Sequence, residues 1–403
     1  MSWEIAELGD LVKIRHGYAF KSKYFADEGE YVLLTPGNFQ ERGGLKLKGE
    51  NEKYYVGDIP EEYVLNGGDL IVVMTDLINT APILGGSAII PEDNKFLHNQ
   101  RLGLVQIKDG EKIDKSFLYY LFNTDQYRGQ VRGSASGATV RHTAPERIYR
   151  CKVRIPTSVE TQRRIASILS AYDDLIENNL RRIKLLEESA RQLYKEWFVR
   201  LRFPGHEHTW IVNGVPEGWK TSRLGDVIQI RKGKSITQAN VHEGKVPVVA
   251  GGLQPAYYHN EANVKGPVIT ISASGANAGA VMIYHQDIWA SDCSYISSES
   301  TDHLYYFYCL LKSMQQEVSG LQKGAAQPHV YPKDLMRLDI VFPADRTIQY
   351  FTEAVGPSFR LVKNLTQQNR FLIAARDILL PKLMSGEVEV DVKEANKHLE
   401  VTI

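Results

Sequence analysis

The sequence contains little cysteine and no long apolar run, and each absence excludes a class of protein. Cys151, Cys293 and Cys309 are odd in number, far apart and without CxxC spacing. This pattern predicts reduced thiols in a cytoplasmic protein and argues against a disulfide framework or a zinc site. No stretch reaches the roughly eighteen apolar residues that a membrane span needs. The segment 1–4 does not begin a signal peptide, so we expect neither a membrane protein nor a secreted one.

Signatures of catalysis and of nucleotide binding are also missing. There is no GxxxxGK[ST] loop, no GxGxxG after a strand and no Asn-Pro-Pro-aromatic tetrapeptide of the kind that DNA adenine methyltransferases carry. Gly275–Gly279 lacks a lysine and is interpreted as a tight loop. Asp93–Lys95 has the Asp-x-Lys form of some nuclease sites, with Asp69 or Asp76 as conceivable partners, but a surface turn is favoured. His206–His208 is interpreted as linker and not as a metal site. We therefore expect a binding protein without a catalytic residue or metal.

Charge is balanced overall but uneven along the chain. The 48 Lys and Arg residues match 48 Asp and Glu residues, which argues against a protein coated with basic surface. Between Gln126 and Arg154, however, a basic run is opposed only by Glu146. Its members are Arg128, Arg132, Arg141, Arg147, Arg150, Lys152 and Arg154. Such a run suits phosphate contacts, and a solvated charged face is the alternative interpretation.

Several short motifs occur twice. Trp3, Leu8–Asp10 and Ile14–Gly17 return 216 positions later as Trp219, Leu224–Asp226 and Ile230–Gly233. Leu118–Tyr120 and Gly137–His142 return as Leu304–Tyr306 and Gly324–His329, at offsets of 186 and 187. Repeats of this length are whole domains, so the chain carries two diverged copies of one module. Two related modules predict a ligand with two related parts.

The predicted fold class is α+β, with two mixed α/β modules and two long helices that form an antiparallel coiled coil within a pseudo-twofold repeat. Within the first module we predict strands at 31–34, 70–74 and 102–107 and a helix at 116–127. The second module should have a strand at 267–271. The expected segments are module 1 at 1–157, a helix at 158–202, a linker at 203–218, module 2 at 219–343, a second helix at 344–384 and a tail at 385–403.

Each long helix carries apolar residues at alternating spacings of four and three, which is a heptad seam. The first seam is Ile165, Leu169, Tyr172, Ile176, Asn179, Ile183, Leu186, Ala190, Leu193 and Trp197, and the second is Phe351, Val355, Ser358, Val362, Leu365, Asn369, Leu372, Arg376, Leu379 and Leu383. If Ile165 lies opposite Leu383, Asn179 faces Asn369, Tyr172 faces Arg376 and Ala190 faces Ser358. A buried Asn pair penalises slipped registers, although registers seven residues away also preserve the heptads.

Polar loops occupy matching places in the two modules, and they supply the candidate DNA-binding residues. Arg, Asn, Gln, Ser and Thr are the side chains that read base edges and hold phosphates, whereas such residues also populate ordinary loops. The candidates in module 1 are Thr75, Asn79, Thr80, Asn99, Gln100, Arg101, Arg132, Ser134, Ser136, Arg141 and His142. Those in module 2 are Ser272, Ser274, Asn277, Ser291, Asp292, Lys323, Gln327 and His329. One frame with two different sets of loops is expected of a scaffold that reads two sequences.

Taken together, these motifs resemble the specificity subunit of type I restriction–modification systems, over essentially the whole chain. The resemblance rests on the module–helix–module–helix order, on Pro156 and the Gln162–Asn179 stretch, on Trp197–Val199 with Phe203–Gly205, and on Leu380–Glu387. It extends to the Gly137–His142 and Gly324–His329 turns. The start of the second helix, Pro343 to Gln349, departs from the pattern of the first, which puts strict two-fold equivalence of the docking surfaces in doubt.

The resemblance implies that each module, a target recognition domain, reads one half of a bipartite, asymmetric site in double-stranded DNA. It also implies that the helices set the gap between half-sites and dock two modification subunits, which restriction subunits then join. S-adenosylmethionine, ATP and Mg would be bound by those partners, so no cofactor is expected in this chain. Two alternatives stay open: a methyltransferase or nuclease that acts alone, and a scaffold whose modules bind other proteins.

Overall fold

A computed structural model describes residues 2–324 and 327–391, and the chain forms two compact units. The first unit contains 1–176 and the chain from 371 onward, and the second contains 177–370. Each unit therefore holds one module together with part of each long helix. The tail predicted at 385–403 is described only as far as residue 391.

In the first unit, module 1 is built from short strands around a four-stranded antiparallel sheet. Its strands are Trp3–Glu7, Val12–His16, Phe25–Ala26, Tyr31–Leu33, Tyr54–Tyr55, Val64–Leu65, Leu70–Val73, Thr75–Asp76, Ser87–Ile89, Phe96–Leu97, Leu102–Ile107, Arg141–His142 and Lys152–Pro156. Its α-helices are Leu8–Leu11, Lys115–Phe122, Asp125–Ser134 and Pro145–Tyr149. The central sheet has the order Val12–His16, Leu102–Ile107, Leu70–Val73, Ser87–Ile89. Leu70–Val73 is fully buried because it is a central strand covered on both faces.

The single helix predicted at 116–127 is wrong, because the structure has two helices there. The first ends at Phe122, and Thr124 begins the next one by accepting a hydrogen bond from the Tyr127 amide on its side-chain oxygen. Asn123 is buried between them and accepts from the Ser87 amide at 3.0 Å. A capping threonine inside an apolar pattern thus marks a helix start that periodicity alone overlooks.

In the second unit, module 2 repeats this plan. Its strands, including those of the preceding linker, are Ile211–Val212, Val215–Pro216, Lys220–Arg223, Arg231–Lys232, Val246–Val249, Tyr257–His259, Val268–Ser272, Val281–Tyr284, Trp289–Ala290, Cys293–Ser297 and Asp339–Phe342. The α-helices are Leu224–Val227, Leu304–Ser313, Gln315–Gly320 and Pro332–Leu335. The central sheet has the order Arg231–Lys232, Cys293–Ser297, Val268–Ser272, Val281–Tyr284, which matches module 1 strand for strand.

The glycines of the repeated motifs have the same role in both modules. A Cβ at Gly9 would lie 2.9 Å from the Tyr149 Cβ, and one at Gly225 would lie 2.7 Å from the Met336 Cβ. These distances are below any normal carbon–carbon contact. Both modules therefore have glycine at this position of the motif because the chain passes too close to another segment for a side chain to fit.

The long helices run from Val159 to Tyr194, with a π-helical turn at Lys195–Val199, and from Asp345 to Ser385. The first helix therefore ends a few residues before the predicted bound at 202. All twenty seam residues are buried or half-buried, whereas outward positions such as Leu185 are exposed. The heptad pattern thus gives the packed face of both helices.

Asn179 and Asn369 meet in the second unit, where both side chains are buried. The Asn179 Nδ2 donates a hydrogen bond to the Asn369 Oδ1 at 2.9 Å. This is the pairing that the register predicts. In the first unit, Arg376 pairs with Asp173, the neighbour of Tyr172, through an Nη1–Oδ1 contact of 2.6 Å. The guanidinium of Arg376 thus binds the carboxylate next to its predicted partner, since a guanidinium gains more from a carboxylate than from a phenol.

Among the described residues, no helix is both long and apolar enough to cross a membrane. Within the same residues, no group of three or more His, Cys, Asp and Glu side chains is arranged to hold a metal ion.

Candidate nucleic-acid interface

In module 1, strand pairing gathers four loops at one edge of the central sheet. His16 lies opposite Gly103 and Leu102 lies opposite Val73, so one strand begins where its two neighbours end. The chain continues from that point into Thr75–Asp76, which pairs with Arg141–His142. The candidate loops 75–80, 99–101 and 132–142 therefore lie together, and the structure adds the turn that follows His16. We call this edge, with its loops, the loop edge.

A hairpin at Ser136–His142 closes the loop edge of module 1. Its ends exchange two backbone hydrogen bonds, at 2.9 and 2.8 Å, and Gly137 has a left-handed φ of 91°. The Arg141 guanidinium donates back to the Gly137 and Arg132 carbonyls at 3.2 and 3.1 Å. Thr75 Oγ1 lies 3.0 Å from His142 Nδ1, which joins the hairpin to the sheet. The hairpin is consequently stabilised by Arg141 within the loop and by the contact of His142 with the sheet.

The predicted readers in module 1 divide into buried and accessible residues. Thr75 and Asn99 are buried, and the Asn99 side chain accepts from the Arg101 amide at 3.0 Å. Their polar groups make hydrogen bonds inside the protein that stabilise the loops. The candidates for DNA contact in module 1 are therefore the remaining nine residues. Asn79, Thr80, Gln100, Arg101, Ser134, Ser136 and His142 are exposed, and Arg132 and Arg141 are half-buried.

Much of the basic run between Gln126 and Arg154 is structural. Arg128 is buried and donates to the carbonyls of Glu41 and Pro82. Arg147 donates to the Ser134 carbonyl at 2.8 Å, and Arg154 donates to the Ser385 carbonyl at 2.8 Å. Burial lowers the pKa of Arg128. A phosphate-facing role therefore fits only part of the run.

Module 2 builds the same loop edge with different side chains. Ser272 lies opposite Cys293, and Ser274 pairs with His329 as Thr75 does with His142. The backbones of Lys323 and His329 exchange two hydrogen bonds of 2.9 Å, and Gly324 takes the left-handed turn with a φ of 101°. The frame predicted from Gly137–His142 and Gly324–His329 is thus present in both modules.

The predicted readers in module 2 divide in the same way. Ser272 and Ser291 are buried, and Ser272 Oγ donates to the Gly251 carbonyl at 2.9 Å, so we set these two aside as loop-shaping residues. Ser274 donates to the Asp292 carboxylate. Lys323 and Gln327 are exposed, whereas Ser274, Asn277, Asp292 and His329 are half-buried.

Electrostatics differ between the two loop edges. In module 2 the Lys323 Nζ lies 2.7 Å from Asp334 Oδ1, and this hydrogen bond holds the pKa of Asp334 below its ordinary value. Asp334 was not among the predicted site residues, because it follows Lys323 by eleven residues and no sequence motif connects the two. In module 1 the buried His98 bonds through Nε2 to the Leu102 carbonyl at 2.9 Å. Burial lowers the pKa of His98 to about 4, so the ring is neutral at pH 7.

Each module joins the long helices through different chemistry. In the first unit the Tyr120 hydroxyl donates to Asp173 Oδ2 at 2.7 Å, beside the Asp173–Arg376 ion pair. This network lines a cavity of about 870 Å³. In the second unit, Phe359 stands where Asp173 does under the 186-residue offset. Its ring stacks on Tyr305, the counterpart of Tyr119, with centroids 4.1 Å apart and planes 2° from parallel.

Comparison with known proteins gives this architecture a family. The model of the type I restriction modification DNA specificity domain matches residues 1–188 and 216–351, which covers both modules. The chain belongs to this family. As the resemblance in the sequence implied, it is a specificity subunit of the type I restriction–modification class, and the α+β fold with two recognition domains and two long helices is confirmed.

Other type I specificity subunits are similar along most of their length. The specificity subunit of the type I restriction enzyme MjaIX of Methanocaldococcus jannaschii is 28% identical over 74% of this chain and 74% of its own. A putative type I specificity subunit of Mycoplasma pneumoniae is 24% identical over 95% of this chain and 96% of its own. The crystal structure of a type I S subunit from M. genitalium has the same fold, with a TM-score of 0.56 over 95% of this chain and 96% of that one at 18% identity.

Proposed function

We propose that this specificity subunit reads a bipartite, asymmetric site in double-stranded DNA, with one half-site for each loop edge. The observation that carries the proposal is the pair of equivalent hairpins, Ser136–His142 and Lys323–His329, on the same backbone frame with different side chains around them. A fixed frame with exchanged polar groups suits direct readout of two different base sequences.

The experiment that tests this function is methylome sequencing of a host that expresses the chain with its cognate modification subunits. We expect one methylated motif with two specified halves and an unspecified gap. Gln327→Ala and Asn277→Ala should relax the motif in one half only, and Gln100→Ala and Arg101→Ala in the other. Lys245→Gln, an exposed residue before the strand Val246–Val249, is the control. A motif that changes in both halves with either pair of variants contradicts the assignment.

We further propose that the chain is not itself an enzyme. Modification subunits would bind S-adenosylmethionine and methylate adenine, and restriction subunits would use ATP and Mg, so this chain would need no cofactor. The test is incubation of the purified chain with labelled S-adenosylmethionine and DNA, where we expect no incorporation. Incorporation without a partner would favour the alternative of a methyltransferase that acts alone.

The long helices are the proposed docking surface for two modification subunits. Their outward positions include large apolar side chains that are exposed by half or more: Leu175, Leu180, Leu185, Phe371 and Ile378. Arg181 and Arg182 are exposed as well, whereas Glu187 is half-buried, and burial raises the pKa of its carboxyl beside Arg191 and Lys312. Exposed apolar residues on a helix fit a protein partner better than DNA.

The setting proposed for this function is the cytoplasm. All three cysteines are buried free thiols, as expected in a reducing compartment. The salt dependence of DNA binding distinguishes this function from the alternative of a scaffold that binds proteins and not DNA. DNA binding by the full chain should weaken steeply as salt rises, and a weak dependence would favour the scaffold.

A further inference from the structure

The repeated Ile-Arg-x-Gly motif places a turn at each loop edge, outside the polar loops that carry the candidate DNA-binding residues. In module 2 the Gly233 amide donates to the Cys293 carbonyl at 2.8 Å, and the Lys234 amide donates to the Ala290 carbonyl at 2.9 Å. In module 1 the matching bonds run from Gly17 to Leu102 at 3.3 Å and from Tyr18 to His98 at 2.8 Å. The turn is therefore bound along its backbone to the segment that carries the candidate readers.

Each turn also packs tightly against that segment. Moving it away would break the backbone hydrogen bonds, and moving it closer would cause a steric clash. A Cβ at Gly17 would collide with the Asn99 carbonyl, and one at Gly233 would collide with the Ser291 carbonyl. In module 2 the Trp289 Nε1 also donates to the Lys234 carbonyl at 2.8 Å. The backbone of this turn thus holds a fixed position relative to Ser291 and Asp292.

Within 2–324 and 327–391, neither Lys232, the last residue of the strand Arg231–Lys232, nor Lys234 forms an ion pair with an acidic side chain. Lys232 and Lys234 are exposed, and the Lys234 Nζ lies 6.0 Å from the centre of the Trp289 ring. Lys323, the basic residue of the neighbouring hairpin, is instead engaged with Asp334. Lys232 and Lys234 are accordingly positive charges available at the turn.

The two modules differ in where their positive charge lies. Between Gln315 and Val341 three basic residues are balanced by three acidic ones: Lys323, Lys333 and Arg337 against Glu317, Asp334 and Asp339. The corresponding part of module 1 is the basic run opposed only by Glu146. At the turn, by contrast, module 2 is the more basic of the two, because it has Lys232 and Lys234 where module 1 has His16 and Tyr18. A charge absent from the hairpin segment of module 2 is thus supplied by its turn.

Arg231 is excluded from this role by its surroundings. It lines a shallow pocket of about 350 Å³ together with Asp287 and Glu299. Its guanidinium lies 3.3 Å from the Gln229 side-chain oxygen. Arg231 therefore has acidic and polar neighbours of its own.

We propose that Lys232 and Lys234 bind backbone phosphates of the second half-site and position module 2 on the DNA without reading bases. This inference rests on the proposed function, since it assigns contacts within the same interface. Lysine holds phosphate as a point charge, and such contacts fix orientation while carrying no sequence information. Module 1 would make the corresponding contacts from its basic run.

The test compares the full chain with K232Q/K234Q in DNA binding over a range of salt concentrations. The duplex carries the motif found by methylome sequencing, and a second duplex has only the module 2 half-site scrambled. K245Q is the matched control, because Lys245 is an exposed lysine at the far end of the strand whose last residue, Val249, accepts from the Ser291 amide at 2.8 Å. Thermal unfolding of all variants checks that the fold is retained.

Loss of two phosphate contacts should flatten the slope of log K against log salt by about 1.8. The preference for the intact over the scrambled half-site should stay the same, and K245Q should match the unmodified chain. An unchanged slope overturns this inference and leaves the proposed function standing. A changed base preference with an unchanged slope also overturns it, since the lysines would then be readers. If the unmodified chain does not prefer the intact motif, both proposals fall.

Discussion

Gly17 shows how strongly a single atom is constrained at the loop edge. Its missing Cβ leaves room for the Asn99 carbonyl, and Gly129 in the helix Asp125–Ser134 has open space around it. Gly17→Ala should lower the free energy of unfolding by about 1–3 kcal/mol through overpacking. Gly129→Ala should raise it by about 0.5–1 kcal/mol because alanine favours the helix. Urea unfolding measures both, and equal effects of the two substitutions would contradict the close approach.

His98 should make module 1 sensitive to acid. Its Nε2 faces a carbonyl, which only accepts, so this nitrogen carries the proton of a neutral ring. Its folded pKa of about 4 lies below the ordinary 6.5, so the unfolded chain binds more protons between these values. The stabilisation is complete above pH 6.5 and is lost as pH falls towards 4, by about 3 kcal/mol at most.

The measurement is urea unfolding from pH 7.5 to 4.5. His98→Gln keeps an N–H donor but removes the titrating ring, so its stability should fall less steeply than that of the unmodified chain. His208→Gln, at an exposed position of the linker, is the control and should follow the unmodified chain. Parallel pH profiles for all three proteins would argue against a role for His98.

The sequence predicts which polar side chains the loops carry, but it does not predict which of them are buried. Thr75, Asn99, Ser272 and Ser291 have the same side-chain types as the accessible candidates, yet they are buried and shape the loops. Their places depend on strand pairs more than twenty residues apart in the chain, such as Leu102 with Val73. A loop sequence contains no signal for that pairing.

At the scale of elements, the Asn179–Asn369 layer defines how the two long helices align. Asn179→Leu should destabilise the fold by about 1–3 kcal/mol, because it removes the partner of a buried amide. The double variant with Asn369→Leu should regain much of that loss, since both amides are replaced by apolar groups. Urea unfolding of the two single variants and the double variant gives the coupling energy. Strictly additive losses would show that the two residues act independently.

Helical periodicity predicted the long helices well, because a heptad seam is a local pattern of apolar residues. The short helices were harder, as the break at Asn123–Thr124 shows, since one capping side chain decides it. The side-chain contacts between each module and the long helices could not be predicted either. Asp173 and Phe359 stand at equivalent positions of the repeat, yet Asp173 makes polar contacts with Tyr120 and Arg376, whereas Phe359 stacks on Tyr305.

For the whole molecule, the proposed function makes helix length a determinant of the recognised site. Removing 180–186 together with 362–368 deletes one heptad from each helix and keeps Asn179 opposite Asn369. Seven residues at 1.5 Å each amount to about 10 Å, so the gap between half-sites should shorten by about three base pairs. Methylome sequencing reads the gap directly. Removal of 180–186 alone is the control. It leaves the two helices unequal by one heptad, so the seam partners on one side of the Asn layer shift by seven residues, and methylation should be abolished.

An unchanged gap in the paired deletion would refute the idea that the helices measure distance on DNA. At this scale the repeat in the sequence, together with its helices, indicated the architecture and the family. The base sequence recognised does not follow from either, because assigning side chains to bases requires the geometry of a bound duplex.

The first unit is assembled from two separated stretches of chain, and this affects how the protein is made. Leu383, Met384 and Val390 belong to the same apolar core as Leu8 and Ile165. A ribosome completes 177–370, a contiguous unit, before it delivers the residues that finish the core of module 1. The core of the recognition domain translated first is therefore completed last, and the apolar patch that these three residues cover is open to chaperones or to aggregation until then.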